Sequence, residues 1–344
     1  MPLPPHVLPL QLGLLASPAD PFFSPQDAQA GPEDAGEPPL DPARFGPLPG
    51  RVQRFELANG WRFLVLPRPE APVVSFETYV PVGSADETAG ATGLAHFFEH
   101  LAFKGSDRIG TIDAEAEERA LERVDALASR LAQLRSKAAS ESELREAQEA
   151  FNRARTEAGA FVREGEFSAL LEQAGGARTL NATTSVDETR YVVSLPRNHV
   201  ETWCWLESER FLRPVLREFY TEREAVLEER RARIDEAPFG RLLEVLGREA
   251  FGLGPYGHPA LGAAGDVLTL TRPQAENFFR VHYSPERMVT AIVGDVDPDQ
   301  LLPMLERYFG RVPRHSPAVA RASEAAYHDP LSSRPENRAA KRAA

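Results

Sequence analysis

The feature that most constrains this chain is the pentapeptide at positions 96–100, which reads His-Phe-Phe-Glu-His. The two histidines are four positions apart, so in an α-helix they lie on one face, one turn apart. There His96 and His100 could bind a single metal ion, and Glu99 projects toward the same side. The apolar residues around the motif predict a buried helix, from about 90 to 103, in which unpaired imidazoles would be costly.

The residue order H-x-x-E-H is the inverted form of a zinc-peptidase signature. In that role the two histidines are zinc ligands and Glu99 is the base that takes a proton from water. The alternative is an amphipathic helix with two hydrogen-bonded histidines and a solvated glutamate. The chain has only eight histidines, and chance alone would produce this pattern in roughly one chain in a hundred, which favours the metal site.

A catalytic zinc ion usually has three protein ligands and one open position for water. The best source of a third ligand is the segment 222–231, which contains no Gly or Pro and predicts a helix. Glu222 and Glu229 have helical spacing and share a face with apolar residues. A charged helix in solvent is the alternative interpretation, and spacing within the segment does not choose between the two.

Together these segments resemble the M16 family of zinc metallopeptidases, which includes pitrilysin, insulin-degrading enzyme and the mitochondrial processing peptidases. The resemblance runs from about Val52 to Val312. The matching segments are positions 93–105, 180–185, 189–191, 222–229, 255–259 and 294–295.

The resemblance assigns roles to individual side chains. It implies that His96 and His100 are ligands of Zn²⁺, the expected cofactor. It implies that Glu99 is the general base and that Glu229 is the third ligand. Glu222 matches a second acidic position that supports the site.

The resemblance also implies the fold and the way in which substrate binds. The expected fold is α+β, a two-layer α/β sandwich of the M16 type. Alternating apolar residues predict a β-hairpin around Asn59-Gly60 and a third strand at 73–80. Asn181 and Ala182 match the edge strand that pairs with the backbone of a peptide substrate, which binds as an added β-strand.

Composition divides the chain into three regions. Residues 1–48 are rich in Pro and are expected to be disordered, as is the tail at 314–344. Residues 49–313 are expected to form one zinc-peptidase domain. The segment 112–163 is rich in Ala, Glu, Arg and Leu at helical spacing, which predicts an inserted, projecting helical hairpin. The resemblance implies that the core of the domain is complete without it.

The N-terminal region leaves the location of the protein open. Residues 7–16 form an apolar run and Ala28-Gln29-Ala30 resembles a signal-peptidase site. The run contains Pro and no Lys or Arg precedes it, so periplasmic export and a cytoplasmic location have equal weight. No stretch is long and apolar enough to span a membrane. The net charge of −12 argues against nucleic acid as a partner, and the single cysteine, Cys204, excludes an internal disulfide.

Enzymes of the family resemble a clamshell of four such domains, in one chain or in paired subunits, whereas this chain contains one. The resemblance therefore implies a partner, either a second M16-like subunit or a missing C-terminal half. The leading hypothesis is a zinc metalloendopeptidase domain that hydrolyses peptides or small unfolded proteins. The alternative is a non-catalytic or truncated M16-like scaffold or binding subunit. Such subunits usually lose metal ligands, and the sequence retains all of them, which favours the enzyme.

Overall fold

The computed structural model of the chain describes residues 51–252 and 254–314. The predictions of disorder at 1–48 and 314–344, and of an export signal, lie outside the described residues apart from Arg314. No helix within the described ranges is long and apolar enough to cross a membrane.

The described residues contain a six-stranded mixed sheet in the order β1-β2-β6-β3-β5-β4. The strands are β1 (Gln53–Glu56), β2 (Arg62–Pro67), β3 (Val73–Val80), β4 (Asn181–Thr184), β5 (Thr189–Pro196) and β6 (Val289–Gly294). All neighbouring strands are antiparallel except β2 and β6, which are parallel. The predicted hairpin and third strand are both present.

The helices lie between and after the strands. They are α1 (Leu94–Leu101), α2 (Ala114–Ser136), α3 (Glu141–Gly159), α4 (Glu166–Leu171), α5 (Val200–Leu212), α6 (Phe219–Arg230), α7 (Pro238–Phe251), α8 (Ala264–Thr269), α9 (Arg272–His282) and α10 (Pro298–Phe309). The helix of the histidine motif is shorter than predicted. It starts only after Gly93, which has a φ of 96° and breaks the helical path.

One face of the sheet is covered by helices and the other is open to solvent. Along β3, alternate residues such as Val74 and Phe76 are buried, whereas Val73 and Ser75 are exposed. Trp203 of α5 stacks on Phe76 with ring centroids 4.0 Å apart. This alternation gives the two-layer arrangement expected for the α+β class.

The predicted helical hairpin is formed by α2 and α3. Its turn carries a capping box, in which the side chains of Ser140 and Glu143 each accept a hydrogen bond from the backbone amide of the other residue. The hairpin also contributes to the interior of the domain, because Leu121, Val124 and Phe151 are buried in the same apolar cluster as the sheet residues. It lies outside the sheet, but it is packed against the domain and does not simply project from it.

Candidate metal centre

Helix α1 is held in the core by its apolar side. Phe97, Phe98 and Leu101 are fully buried. Phe98 stacks on Phe279 of α9 with centroids 4.9 Å apart. Phe97 meets Phe219 of α6 edge to face at 4.6 Å, so the first turn of α6 is packed against α1. The polar side of α1 therefore faces the polar side of α6.

The two helices bring three potential ligands together. Glu229 Oε2 lies 3.6 Å from His96 Nε2 and 3.4 Å from His100 Nε2. The three ligand atoms all lie within 4.8 Å of one another. His96 is buried, and His100 and Glu229 are partly buried. The tertiary structure thus selects Glu229 from two carboxylates that the helical spacing of α6 left equivalent.

The spacing of these atoms fits a zinc ion. Tetrahedral ligands about 2.0–2.1 Å from zinc are separated from each other by about 3.3 Å. The two measured distances to Glu229 are close to that value, and at 3.4 and 3.6 Å they are long for hydrogen bonds. Two imidazoles and one carboxylate also form a known donor set for catalytic zinc, with one position left open.

The two imidazoles differ in charge when no metal is bound. Burial lowers the pKa of His96 to about 3, and the positive charge of His100 contributes. Burial also acts to lower the pKa of His100, but the carboxylates of Glu222 and Glu229, each 3.4 Å from a ring nitrogen, outweigh it and raise the pKa to about 9. His96 is therefore neutral, the form that binds metal, whereas His100 would lose a proton on metal binding.

Glu99 lies beside the three potential ligands without belonging to their group. Its side chain is buried, and Oε2 accepts a hydrogen bond of 2.5 Å from Thr184 Oγ1 at the end of β4. Burial raises the pKa of Glu99, while the hydrogen bond from Thr184 acts in the opposite direction. Thr184 lies in the matching segment 180–185 but was assigned no role there, because only the packing of α1 against β4 brings it to Glu99.

Glu222 lies on the other side of His100, with Oε2 3.4 Å from the imidazole Nδ1. Lys104 Nζ is 2.7 Å from Glu222 Oε1 and 2.9 Å from Glu218 Oε2. Burial acts to raise the pKa of Glu222, but His100 and Lys104 outweigh it and lower the pKa to about 2. A charged Glu222 can therefore orient the His100 ring. Lys104 lies in a segment that matches the family, but sequence reasoning assigned it no role.

Asn181 and Ala182 open strand β4, at the edge of the sheet. Within the described residues β4 has a single neighbouring strand, β5. The Ala182 amide donates to Asn181 Oδ1 at 3.0 Å, and the far end of the strand reaches Glu99 through Thr184. Within the described residues, the second backbone edge of β4 thus has no neighbouring strand, and β4 ends beside the candidate general base.

Comparison with known proteins identifies the family. The protein-family model described as "Insulinase (Peptidase family M16)" matches residues 62–130 and 159–264, about half of the chain. A second model, "Peptidase M16 inactive domain", matches residues 269–341. This chain belongs to the M16 peptidase family. The break in the first match, 131–158, falls within the α2–α3 hairpin.

Relatives of this M16 chain are named as zinc proteases. It is 25% identical to zinc protease PqqE of Helicobacter pylori over 74% of this chain and 45% of the relative. It is 28% identical to an uncharacterized zinc protease of Mycobacterium tuberculosis over 75% of this chain and 47% of the relative. It is 25% identical to the beta subunit of mitochondrial-processing peptidase from Saccharomyces cerevisiae over 79% of this chain and 47% of the relative. The chain spans about half the length of these curated relatives.

Solved structures support the fold. A protease from Helicobacter pylori superposes with a TM-score of 0.59 at 24% identity, over 77% of this chain and 51% of that one. The first half of the periplasmic protease PqqL from Escherichia coli gives a TM-score of 0.52 at 21% identity, over 76% and 46%. The expected α+β sandwich is thereby confirmed, as the match to the family model confirmed the expected family.

Proposed function

We propose that this M16 domain binds Zn²⁺ through His96, His100 and Glu229 and hydrolyses peptide bonds with Glu99 as the general base. The observation that carries the proposal is that Glu229 lies 3.6 and 3.4 Å from the two imidazoles, with the buried carboxylate of Glu99 beside the three side chains. The names of the relatives support a zinc peptidase domain.

Bound zinc would supply a Lewis acid that lowers the pKa of a water molecule and polarises the scissile carbonyl. Glu99 would accept the proton of that water and return it to the leaving amine. Its burial suits this role, because a raised pKa makes the carboxylate a better proton acceptor at neutral pH. Thr184 would fix one carboxylate oxygen and leave the other for water. Glu222, held by Lys104, would orient His100 as a ligand.

The substrate would be an extended peptide that adds to the outer edge of β4, beginning near Asn181 and Ala182. An edge strand with unpaired backbone groups is a general site for strand addition. Because β4 ends at Thr184, a peptide paired with it runs toward Glu99. Strand addition recognises backbone, which fits peptides or small unfolded proteins better than a folded substrate.

A second M16-like half would complete the enzyme, either as a separate subunit or as a C-terminal continuation. The chain spans about half the length of its curated relatives. Helix α7 also exposes an apolar stripe formed by Phe239, Leu242 and Leu246. Phe239 is 69% exposed, and Leu242 and Leu246 are each 59% exposed. An apolar stripe of this kind usually marks an interaction surface. The alternative of a non-catalytic scaffold is disfavoured because all the candidate catalytic side chains are present and converge.

Metal content and peptide cleavage test the proposal. The wild-type chain should hold about one zinc ion, and Glu229→Gln should lose it because a carboxamide is a poor ligand. Glu228→Gln is the matched control, since Glu228 is adjacent but 71% exposed. Glu99→Gln should keep its zinc and cleave a quenched peptide about 100-fold more slowly or worse, with or without the second half. Full zinc occupancy in Glu229→Gln, or loss of zinc in Glu99→Gln, would contradict the assignment.

A further inference from the structure

Residues 254–266, which we call the brace, cross the beginning of α1. The brace contains the segment 255–259, which matched the family but received no role. Gly262 has a φ of 73°, and a Cβ there would lie 2.5 Å from the Thr92 carbonyl oxygen. The brace backbone is therefore packed directly on the residues before α1. Asp266 accepts a hydrogen bond of 2.7 Å from the Thr92 hydroxyl and fixes the same contact.

The start of α1 lacks a cap of its own. Its N-cap residue is Gly93, which has no side chain to accept from the free amides of the first turn. Glu87 supplies the cap: Oε2 accepts from the Gly93 amide at 2.7 Å and Oε1 from the Ala95 amide at 2.8 Å. Both carboxylate oxygens of Glu87 are thus used to hold the first turn of the helix. A carboxylate at a helix N-terminus also interacts favourably with the helix dipole.

His258 of the brace holds Glu87 in turn. Its Nε2 lies 3.3 Å from Glu87 Oε2 and 2.9 Å from the Ser84 carbonyl oxygen. Both neighbours are acceptors, so Nε2 carries a proton. The Glu87 side chain is fully buried, and a buried carboxylate needs a partner to stay in place. The hydrogen bond to Glu87 also raises the pKa of His258.

The brace reaches a third element at its other end. The Tyr256 hydroxyl donates to Asp187 Oδ1 at 2.8 Å, in the turn between β4 and β5. The same short segment therefore contacts the turn next to the substrate edge and the start of the helix that carries the histidines.

We propose that His258 and Glu87 are positioning residues, which act through the first turn of α1 to set the place of His96 relative to His100 and Glu229. His96 follows Ala95 directly, whereas His100 lies a full turn further on. Weakening the Glu87 cap would therefore shift the imidazole of His96 more than that of His100. The distances among the three potential ligand atoms would then no longer fit a zinc ion. The inference rests on the proposed zinc site for its metal readout but not for its structural one.

Zinc affinity, measured by competition with a chromophoric chelator, is the first readout. His258→Leu should weaken zinc binding about tenfold, the low end of the effect of outer partners of metal ligands. His258→Gln should restore most of the affinity, because its side-chain amide can donate from a position close to that of Nε2. Glu87→Gln should also weaken binding, since its amide nitrogen cannot accept from a backbone N–H.

Amide hydrogen exchange in the metal-free chain is the second readout and needs no zinc. His258→Leu should speed exchange at Gly93 and Ala95 by at least tenfold, and His258→Gln should not. Asn59→Ala is the control for general loss of stability. It removes two hydrogen bonds to the carbonyls of Phe309 and Val312, next to β1 at the opposite edge of the sheet from β4, and should leave both readouts unchanged.

The outcomes separate the two proposals. Wild-type zinc affinity and wild-type exchange in His258→Leu would overturn the positioning role and leave the zinc site standing. An equal effect of Asn59→Ala, or no rescue by His258→Gln, would also overturn it. A wild-type chain that bound no zinc would contradict the proposed function, while faster exchange in His258→Leu would still support the positioning of α1.

Discussion

Replacing Glu117 with glutamine would measure how firmly the α2–α3 hairpin is tied to the domain. The side chains of Glu117 and Arg217 are each 1% exposed, and Arg217 Nε lies 2.7 Å from Glu117 Oε1. Arg217 Nη2 donates to the other carboxylate oxygen at 3.0 Å. The remaining N–H groups of Arg217 donate to backbone carbonyls in the loop after α1, those of Lys104, Ser106 and Ile109. Glu117 therefore supplies the negative charge for a guanidinium that organises this loop.

The expected loss follows from that geometry. Removing one partner of a buried ion pair costs about 3–5 kcal/mol, because the other charge remains buried. Glutamine keeps one acceptor for Arg217, so we expect about 3 kcal/mol, the lower end of that range. In a domain of this size about 1 kcal/mol corresponds to about 2–4 °C, so Tm should fall by about 6–12 °C.

Urea and thermal unfolding of the metal-free chain, followed by circular dichroism, would measure this loss. Glu118→Gln is the matched control on the same helix. Glu118 is 53% exposed and lies 3.7 Å from Arg272, so its loss should cost less than about 1 kcal/mol. Equal stability of the two variants would refute the reasoning, because the buried pair would then contribute no more than an exposed one.

Four further predictions concern charge, surface contacts and the rate of cleavage. His100 has a pKa of about 9 in the folded chain, above the usual histidine value near 6.5. The protonated His100 side chain should therefore stabilise the metal-free chain fully below about pH 6.5, and this contribution should be lost as the pH rises through about 9. Zinc binding at pH 7.5 should accordingly release close to one proton, measured by calorimetry in two buffers of different ionisation enthalpy, and no release would contradict the charged state of His100. Replacing both Leu242 and Leu246 with Glu should abolish self-association of the chain, or its binding to a second half, in sedimentation experiments. Because both side chains are exposed, Tm should change little. Unchanged association would show that α7 is not the contact surface. Cleavage by the chain alone should be about 10²–10³-fold slower than with a second half, because under the proposed function that half would supply opposing groups that stabilise the transition state. Equal turnover would refute the need for a partner.

Local patterns in the sequence were sufficient to predict the class of fold. The hairpin around Asn59-Gly60, the alternation along β3 and the helical spacing of 112–163 each depend on residues close in the chain. Such patterns report the period of a strand or helix directly. The family followed from motifs in a fixed order, because each motif is itself a short segment.

The tertiary structure decided which side chains meet. Spacing along α6 left Glu222 and Glu229 equivalent, whereas in the folded chain Glu229 lies 3.6 and 3.4 Å from the two imidazoles and Glu222 lies beside Nδ1 of His100. The contact of Thr184 with Glu99 likewise needs β4 to lie beside α1.

The same holds for the contacts that support the site. Glu87 and His258 are 171 positions apart in the chain, and Glu117 and Arg217 are 100 apart. No periodic pattern links residues at such separations, because their contact depends on how complete elements pack. The sequence by itself determined the elements, the motif and the family. The packed core determined that Glu229 lies between the two imidazoles while Glu222 lies beside one of them, and which polar groups support the site, since burial is set by all the elements together.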